Sequence, residues 1–402
     1  MSRLEELIQQ YCPDGVEYVS IGNLITRVRN KGSKNPTIKT VYSVSNTLGL
    51  VKAEDFRENV IYSEDTSNYV VIEQGMFAYN PARLNIGSLA WLQSNQSGLV
   101  SPMYVVFSID QTKVLPEFLF LHIKSPFVIG KINSLTESGA RFRFDFERWK
   151  LIEIPIPPVP IQREVVRLLD TFSELQSTLQ IELQKRLQQY NYYRDNLLSF
   201  EGRTDVEWKK LGEIATIKTG RRFVRTDIRE SGVPCFHYGD LYTYYGLTAT
   251  QTKGYLDAEL ASKLRFAQPN DVVVVCAGEN DMDIGVGVAW LGNEPAVVHD
   301  ACCILHHDQN PRYISHFLRT HNYHLQMKKY VKNGKISSLP SSGLANALIP
   351  IPSLEEQERI ATILDKFYAL TTDITAGLPA EIEARRKQYE YYRDRLLTFK
   401  QK

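Results

Sequence analysis

One stretch of the chain is rich in residue types that bind metal ions. It contains His299, Asp300, Cys302, Cys303, His306 and His307. Thiolate and imidazole groups are common zinc ligands, but successive residues of a β-strand point to opposite faces, so the adjacent cysteines would not converge on one ion. The matched segment 101–107 of the other half carries none of these ligands. We therefore expect a buried strand with incidental thiols rather than a metal site.

Two other stretches contain residues of the kind that transfer groups or hydrolyse bonds. The Asn-Pro-Ala-Arg run at residues 80–83 is similar to the Asn-Pro-Pro-aromatic motif of adenine methyltransferases, but it lacks the second proline and the aromatic residue. The acidic stretch 278–287 has neither the Gly-x-Gly-x-x-Gly spacing of a cofactor loop nor a lysine at the spacing customary in nucleases. No Walker A run is present. The sequence therefore predicts no catalysis, no cofactor and no metal in this chain.

Basic side chains recur at matched places in the two halves of the chain, with polar loop residues near them. Arginine and lysine neutralise DNA phosphates, while amide, imidazole and carboxylate groups form hydrogen bonds with base edges. The candidate DNA-binding residues are Arg27, Arg29, Lys31, Lys34, Asn46, Arg83, Asn85, Arg141, Arg143, Arg221, Arg222, Arg225, His237, Asp240, Asn280, Lys332 and Lys335. Two alternatives stay open, because charge runs commonly form only a solvated surface and because Asn46 and Asp240 are typical turn residues.

Composition leaves DNA binding to local patches and excludes several protein classes. The formal net charge is +1 over 402 residues, and 43% of the residues are hydrophobic, which is enough for two domains with cores of their own. The five cysteines form no Cys-x-x-Cys pair and are odd in number, so a disulfide framework is not expected. The chain opens with a charged helical segment rather than a signal peptide, and no apolar run reaches membrane length. We expect a cytoplasmic protein without a membrane partner.

A long motif occurs twice and identifies the chain as an internal duplication. Each copy begins with Ile-Pro-Ile-Pro-x-x-x-x-Gln, contains Leu-Asp-x-Phe, and ends with Tyr-x-Tyr-Tyr-Arg-Asp-x-Leu-Leu-x-Phe. The first copy extends from Ile154 to Phe200 and the second from Ile349 to Phe399. Endings this similar do not arise by chance, so the two halves are expected to share one fold. Proline at alternate positions excludes a helix interior and predicts a short extended segment at 154–160.

After the first proline-rich segment, apolar residues recur three and four positions apart. This stripe comprises Leu168, Phe172, Leu175, Leu179, Leu183, Leu187, Tyr190 and Leu197. With no glycine or proline inside it, the stripe predicts one helix of about 40 residues, roughly 60 Å long. The second copy has a similar stripe, interrupted by Gly377-Leu378-Pro379, where we expect a kink or a break.

An amphipathic helix of this length requires a partner for its apolar stripe. The other copy supplies one, and a duplicated chain commonly adopts pseudo-two-fold symmetry. The sequence therefore predicts two long antiparallel helices. The alternative is that each helix packs on its own domain as an ordinary core helix.

Short apolar segments recur between the motifs and predict strands. The matched pairs are 16–18 with 206–208, 74–79 with 270–275, and 89–91 (Leu-Ala-Trp) with 288–290 (Val-Ala-Trp). We expect an α+β fold with two mainly β domains, at 1–150 and 201–345, and two long helices, at 151–200 and 346–402. The segments 220–230 and 242–263 have no close counterpart in the first half, which indicates that the two domains recognise different targets.

The duplicated motif resembles that of the specificity subunit of type I restriction-modification enzymes, and the resemblance spans the whole chain. The resemblance implies a non-catalytic DNA-specificity subunit in which two target-recognition domains each read one half of an asymmetric bipartite site. The paired helices, one central and conserved in the family and one C-terminal, would set the spacer. The first helix lacks the Gly-Leu-Pro-Ala-Glu-Ile run of residues 377–382, which puts the symmetry of the two helices in question.

The resemblance also implies partner molecules. Such subunits bind double-stranded DNA and dock two methyltransferase (modification) subunits, which use S-adenosylmethionine, and restriction/translocase subunits, which use ATP and Mg. Candidate partner-binding residues near the helix ends are Tyr192, Tyr193, Arg194, Tyr391, Tyr392 and Arg393. The alternative is that these tyrosines only attach each helix to its domain.

Two other functions remain open. A stand-alone methyltransferase or nuclease would transfer methyl groups or cut DNA as the purified chain. A coiled-coil scaffold would bind only protein, and specific protection of DNA by the chain would exclude it.

Overall fold

A computed structural model supplies the structure, and it describes residues 2–32, 37–45, 49–56, 65–136, 142–278, 283–332, 334, 336–373 and 375–402. Contacts group the chain into two compact units. The first unit contains residues 1–177 and 384–402, and the second unit contains residues 178–383. The four segments expected from the sequence, 1–150, 151–200, 201–345 and 346–402, follow chain order and remain a prediction.

The first unit is built from short strands with a few helices around them. Its strands are β1 (Tyr18–Ser20), β2 (Ile25–Val28), β3 (Val41–Ser45), β4 (Gly49–Lys52), β5 (Val70–Ile72), β6 (Phe77–Tyr79), β7 (Leu89–Trp91), β8 (Gly98–Val100), β9 (Val105–Ile109) and β10 (Glu153–Pro155). Its helices include α1 (Arg3–Tyr11), α2 (Ala53–Phe56), α3 (Pro116–Ile123), α4 (Pro126–Ser134) and the first part of α5 (Val159–Leu197). Within the described ranges, the strands form two sheets of order β2-β9-β6-β7 and β4-β3-β8-β5, with a ribbon β1-β10.

The core of the first unit lies around β6, which is inside its sheet and has buried residues throughout. Phe77 stacks on Phe107 with 5.1 Å between ring centroids, and Tyr79 meets Trp149 edge-on at 6.0 Å. All four rings have 0% exposure. Burying a large apolar side chain stabilises a fold by about 1.5–3 kcal/mol relative to leaving it exposed. This cluster therefore fixes the sheet to which the polar loops are attached.

The second unit repeats this plan with more elements. Its strands are β11 (Glu207–Lys210), β12 (Ala215–Thr219), β13 (Val233–Phe236), β14 (Thr248–Ala249), β15 (Gly254–Leu256), β16 (Phe266–Ala267), β17 (Val272–Val275), β18 (Ala277–Gly278), β19 (Gly287–Trp290), β20 (Ala296–Val298), β21 (Cys302–His307), β22 (Ser337–Ser338) and β23 (Leu348–Ile351). Its helices include the second part of α5, α6 (Leu211–Ile214), α7 (Tyr238–Thr243), α8 (Ala258–Ala261), α9 (Pro311–Phe317), α10 (His321–Lys328), α11 (Ser341–Leu344) and α12 (Leu354–Thr372). Helix α13 (Leu378–Leu396) begins here and ends in the first unit.

The two units share one topology, as the duplication predicts. In the second unit the sheet orders are β12-β21-β17-β19-β14 and β15-β13-β20-β16, with ribbons β11-β23 and β18-β22. Both units have a parallel pair at the same place, β3 with β8 and β13 with β20. The second unit has a further parallel pair, β14 with β19, and within the described residues β14 has no counterpart in the first unit. The expectation of two mainly β domains in an α+β fold is confirmed.

The register of the two sheets corrects two predicted matches. Gly75 and Asn270 both adopt a positive φ, 80° and 73°, and their N–H groups donate to the carbonyls of Leu92 and Trp290 at 2.8 and 2.7 Å. Gly75 therefore corresponds to Asn270, and Trp91 corresponds to Ala289. The matches of 74–79 with 270–275 and of 89–91 with 288–290 are each wrong by one residue, because the left-handed turn at Gly75 and Asn270 sets the register rather than the shared Ala-Trp sequence.

The proline-rich start of each motif forms a strand that pairs with the beginning of the same half. In the first copy the strand is Glu153–Pro155 and α5 begins at Val159, so the extended segment predicted at 154–160 is confirmed only for its first part, because Pro160 fits the first turn of a helix. Strand β10 runs antiparallel to β1, and β23 runs antiparallel to β11. The glutamine that follows is fully buried in both copies. Gln162 accepts from the Leu115 N–H and donates to the carbonyls of Lys113 and Pro157. These bonds attach the start of α5 to the loop before α3, which explains why the motif needs an amide side chain there.

Helix α5 spans 39 residues from Val159 to Leu197, in agreement with the predicted length. In the second copy α12 ends at Thr372 and α13 begins at Leu378, so the expected break is confirmed. A Cβ atom on Gly377 would lie 2.7 Å from the carbonyl oxygens of Ala369 and Asp373, and this close approach requires glycine. The break is therefore encoded by Gly377 together with the proline in the first turn of α13.

Within each unit, parts of the two repeats run antiparallel. In the first unit Phe172 stacks on Tyr392 at 5.3 Å, and in the second unit Tyr193 stacks on Phe367 at 5.3 Å. The Leu-Asp-x-Phe motif of the first copy thus contacts the Tyr-Tyr-Arg-Asp ending of the second, and the Leu-Asp-x-Phe motif of the second copy contacts the ending of the first. The predicted apolar stripe is buried less than expected, however, since Leu175 and Leu187 are each 37% exposed. Full burial is confined to residues near the ends of α5, such as Leu169 and Leu198, because there the helix packs on a globular core.

Candidate nucleic-acid interface

The first unit brings together arginines from separate segments of the chain. Arg27 lies on β2, Arg29 follows that strand, Arg83 follows β6, and Arg143 precedes the last strand of the unit; all four are exposed or half-buried. The Phe144 N–H donates to the Pro81 carbonyl at 2.9 Å, so the loop with Arg83 lies against the segment with Arg143. We call Arg27, Arg29, Arg83 and Arg143 the first cationic surface.

Buried Tyr79 lies beneath this surface and responds to its charge. Burial raises the pKa of Tyr79, while the positive charges of Arg27 and Arg143 act against that rise. The Tyr79 hydroxyl donates to the Phe144 carbonyl at 3.5 Å. Arg143 is also paired with Asp145 at 3.5 Å, but its side chain remains 75% exposed. Arg27 and Arg143 are far apart in sequence, and the charges of both act on the Tyr79 hydroxyl.

A carboxylate at the edge of the surface limits its positive charge. The pKa of Glu147 is lowered, first by the hydrogen bond from Lys150 at 2.7 Å and further by the charges of Arg27 and Arg29. Glu147 and Lys150 form an exposed i,i+3 pair. Since that pair satisfies the carboxylate locally, Arg27 and Arg29 can still present their charge to a polyanion.

A cleft runs beside β2 in the first unit. Its volume is about 520 Å³, and Arg27, Arg29, Lys31, Asn68 and Tyr104 contribute to its lining. The Lys31 ammonium donates to the Asn68 Oδ1 atom at 3.2 Å. Three predicted residues, Arg27, Arg29 and Lys31, thus share one groove with an aromatic ring and an amide.

Other predicted residues have mixed positions. Arg83 is exposed and Asn85 is half-buried in a short 3-10 helix, Leu84–Ile86, so both lie on the same loop. The Asn80 Oδ1 atom accepts from the Ala82 N–H at 2.9 Å and shapes that loop. Five predicted residues lie outside the described ranges: Lys34, Asn46, Arg141, Asn280 and Lys335.

In the second unit the predicted arginines follow β12. Gly220 allows the turn, because a Cβ atom there would lie 2.2 Å from the His299 carbonyl oxygen. The Arg221 guanidinium donates to the Lys263 carbonyl at 2.8 Å, which holds it along the loop. Arg222 and Arg225 are exposed on either side of buried Phe223. Phe223 therefore anchors a loop that presents two cations to solvent.

A ring cluster supports this loop and contains His237. The Phe223 ring lies 5.1 Å from His299 and 6.1 Å from His237, and the two imidazoles are 4.8 Å apart. Burial lowers the pKa of His237, and the charges of His299 and Arg225 lower it further. The Nδ1 atom of His237 accepts from the Gly239 N–H at 3.3 Å, so the neutral ring carries its hydrogen on Nε2. His237 is therefore a neutral donor at pH near 7.

Asp240 has an ion-pair partner within its own unit. Its Oδ1 atom accepts from the Lys253 ammonium at 3.0 Å, and Lys253 also lies 5.1 Å from the centre of the Tyr244 ring. Asp240 is 8% exposed. Its role in reading bases stays a prediction. The ion pair with Lys253 is also consistent with a structural role, in which Asp240 connects α7 to the segment that follows it.

Lys332 is exposed at the end of a small sheet. It forms an antiparallel bridge with Ser338, and Ser338 pairs with Ala277 of β18. This arrangement places Lys332 on the ribbon that leads into residues 279–282, where the predicted Asn280 occurs. Its DNA contact remains a prediction.

Sequence reasoning missed two cations of the second unit. Lys218 and Arg265 line a cleft of about 830 Å³ beside β12, to which the His306 ring also contributes. By register, Lys218 corresponds to Val28 and β12 corresponds to β2, so this cleft lies at the place of the cleft in the first unit. These residues could have been predicted only from the pairing of β12 with β21, which cannot be inferred from the sequence.

The stretch with potential metal ligands forms the core strand that we expected. Residues 302–305 of β21 are buried between strands β12 and β17. Burial raises the pKa of the Cys302 thiol well above its ordinary value, so this thiol is not activated. Among the described residues, no group of three or more His, Cys, Asp or Glu side chains is arranged to hold a metal ion.

The candidate partner-binding tyrosines fall into two classes. Tyr193 and Tyr392 stack on the phenylalanines of the opposite repeat, as described above, and Arg194 and Arg393 lie over Tyr190 and Tyr389 of their own helix. Tyr193 and Tyr392 therefore attach helix to helix within each unit, whereas the two arginines contact only their own helix. Tyr192 and Tyr391, in contrast, are 65% and 59% exposed. The exposed pair fits a partner contact best.

None of the helices within the described ranges has the length and hydropathy that a membrane span requires.

The model of the "Type I restriction modification DNA specificity domain" family matches the chain twice, at residues 15–189 and 204–384. The Escherichia coli type I restriction enzyme EcoR124I/EcoR124II specificity subunit is 33% identical over 324 residues, which is 77% of each chain. A putative type I restriction enzyme specificity subunit of Haemophilus influenzae is 30% identical, over 68% of this chain and 69% of its own length. These matches confirm the resemblance in the duplicated motif.

Two solved structures share the fold. One comes from a study of complex assembly and conformational transition of the type I R-M system. Its TM-score is 0.68 at 16% sequence identity, and the match covers 96% of this chain and 98% of that chain. The HsdS subunit from Thermoanaerobacter tengcongensis has a TM-score of 0.52 at 19% identity, covering 96% of this chain and 97% of its own.

Proposed function

The chain belongs to the family of type I restriction-modification DNA-specificity subunits, the recognition rather than catalytic components of their complexes, and from this premise we propose that each of its units reads one half of an asymmetric bipartite DNA site. The observation that carries the proposal is the matched topology with unlike loops. Both units have the same sheet order, but within the described residues α7 and β14 occur only in the second. The shared frame gives each unit the same sheets on which to present loops to DNA, while different loops select different bases.

The cationic residues support contact with the DNA backbone. In the first unit Arg27, Arg29 and Lys31 line one cleft, and the charge of Arg143 acts together with that of Arg27 on buried Tyr79. In the second unit Arg222 and Arg225 flank the His237 ring cluster, and Lys218 lies in the matched cleft. Phosphate contacts fix the register of a protein on DNA, whereas neutral donors and acceptors such as His237 and Asn85 distinguish bases.

The paired helices are proposed to set the spacer between the two half-sites. Helix α5 contributes residues to both units and has no break along its 39 residues. An insertion of about four residues, roughly one helical turn, between Leu175 and Leu187 should therefore change the spacer length and leave both half-sites unchanged. A change in either half-site would contradict this assignment.

We further propose that the subunit acts in the cytoplasm and docks two methyltransferase subunits, to which restriction/translocase subunits add. The S-adenosylmethionine, ATP and Mg that this system uses would be bound by those partners, and the present chain would hold none of them. The exposed rings of Tyr192 and Tyr391 support docking near the end of each repeat, since aromatic residues are enriched at protein interfaces.

Domain exchange tests this function. Residues 1–150 are replaced by the corresponding domain of another specificity subunit of known target, and the hybrid is produced with its methyltransferase subunits. One half of the methylated site should change to that of the donor while the other half and the spacer stay the same. Exchange of residues 201–345 is the matched control and should change the other half. A hybrid that changes both halves, or neither, would contradict modular reading.

A further inference from the structure

The second unit contains an arginine whose hydrogen bonds join three separate elements. Arg319 follows α9 and is half-buried. Its Nη2 atom donates to the Gly246 carbonyl at 2.9 Å, and its Nη1 atom donates to the Gly287 carbonyl and to the Ser315 carbonyl and hydroxyl, the last two at 3.2 and 3.1 Å. Gly287 begins β19, and Gly246 follows α7. One guanidinium therefore fixes the segment after α7 to the sheet and to α9.

The same segment is held by neighbours on both sides. The fully buried Ser315 hydroxyl donates to the Leu247 carbonyl at 2.8 Å, and the Ala289 N–H donates to the same carbonyl at 3.0 Å. A Cβ atom on Gly246 would lie 2.8 Å from the Tyr368 hydroxyl oxygen. Since Tyr368 belongs to α12, the segment 244–247 packs against the helix pair of the second unit, which consists of α12 and the second part of α5.

A polar network connects α9 to both helices of that pair. The Tyr190 hydroxyl lies 3.1 Å from His316 Nδ1, and His316 Nε2 lies 2.8 Å from Asp365 Oδ1. Asp365 also accepts from Arg312 at 2.5 Å. The rings of Tyr190 and Tyr368 are 5.6 Å apart. Helices α5, α9 and α12 are thus joined to one another next to Arg319.

The first unit has different residues at these positions. Counted from the proline that begins α3 and α9, Lys124 occupies the position of Arg319, Leu121 that of His316, and Glu117 that of Arg312. The strand that follows segment 244–247, β14, extends only the sheet of the second unit within the described residues. The arrangement is therefore a property of one recognition unit and not of the shared frame.

We propose that Arg319 is a positioning residue that determines specificity in the second unit, by holding segment 244–247, and with it α7 and His237, in one orientation against the helix pair. The inference rests on the proposed function, because it assumes that the loops around α7 read DNA. Arginine presents its donors in a rigid planar fork, whereas lysine has a single ammonium group. Lysine at position 319 would keep the positive charge but could not hold Gly246, Gly287 and Ser315 in the same geometry.

The test compares discrimination at the two half-sites. The chain and its methyltransferase subunits are assayed for methylation of duplexes that carry single base-pair changes in one half of the target or the other. Arg319→Lys should reduce discrimination at the half-site of the second unit by about tenfold and leave the other half-site unchanged. Arg359→Lys is the matched control, since Arg359 is exposed on α12 and pairs with Glu356 on its own helix.

A second pair of variants covers the case in which Arg319→Lys does not fold. Gly246→Ala adds a Cβ atom against the Tyr368 hydroxyl, and Tyr368→Phe removes that oxygen. Gly246→Ala alone should relax the same half-site and leave the other unchanged, which a general loss of stability would not produce, and the double variant should recover discrimination.

The outcomes separate the two proposals. A wild-type complex without sequence-specific methylation would contradict the proposed function itself. A specific wild-type complex with unchanged discrimination in Arg319→Lys, equal loss at both half-sites, or no recovery in the double variant would overturn the role of Arg319.

Discussion

The glutamine of each repeated motif is the residue whose removal has the clearest expected cost. Gln357 has 0% exposure, accepts from the Asn310 N–H at 3.0 Å, and donates to the Pro352 carbonyl at 2.9 Å and to Gln309 at 2.8 Å. In Gln357→Ala the Asn310 N–H and the Pro352 carbonyl lose their partner. A buried polar group without a partner costs about 1–3 kcal/mol. Because the Asn310 amide is only partly buried, we expect a total loss of about 3 kcal/mol.

This loss converts into a measurable change in unfolding temperature. For a cooperative unit of about 200 residues, 3 kcal/mol corresponds to roughly 6–12 °C. The assay is thermal unfolding of the chain followed by calorimetry. Gln184→Ala is the control, because Gln184 is exposed on α5 and alanine is a good helix former, so its midpoint should stay within about 1 °C. A Gln357→Ala midpoint equally close to the wild-type value would refute the role assigned to the buried glutamine.

Three further predictions concern DNA, partners and pH. If Arg27 and Arg29 each contact one phosphate, the double variant Arg27→Ala, Arg29→Ala should reduce the magnitude of the slope of log affinity against log salt concentration by about 1.8. The slope is measured by DNA titration of the assembled complex at several salt concentrations, and an unchanged slope would show that neither residue contacts DNA. Tyr193→Ala should destabilise the second unit by about 1 kcal/mol through loss of its contact with Phe367, whereas Tyr192→Ala should weaken methyltransferase binding in calorimetric titration without changing the unfolding midpoint. Burial lowers the pKa of His316 below 6.5, so the unfolded chain takes up this proton more readily than the folded chain does, and stability present above pH 6.5 should be lost as pH falls through the folded pKa. His316→Leu should flatten that part of the stability profile, and an identical profile in the variant would contradict the assignment.

The repeated motif allowed much of the fold to be predicted. The period of the apolar residues and the positions of glycine and proline were sufficient to predict α5 and the interruption at Gly377, because both depend on local backbone conformation. The duplication itself predicted that the two units share one topology. The register of β7 and β19 was not predictable from the letters, since it depends on the left-handed turn at Gly75 and Asn270.

The candidate site was predictable as a set of residues but not as an arrangement. Arg27 and Arg143 are far apart in the sequence, and only the fold places both near enough to buried Tyr79 for their charges to act on its hydroxyl. Lys218 and Arg265 share a cleft only through strand pairing, and Arg319 looks like any surface arginine until its acceptors are known. The sequence shows which side chains are charged, whereas tertiary contacts determine which of them are paired within the protein and which remain exposed to DNA.

Mapping of methylated bases tests directly whether this chain is a two-part DNA-specificity subunit. DNA from cells that produce this chain together with its methyltransferase subunit is sequenced for modified adenine. We expect a split, asymmetric motif with a methylated adenine in each half and a spacer of fixed length. Absence of methylation, when the methyltransferase subunit is present and bound to this chain, would contradict this expectation and favour a scaffold that binds only protein.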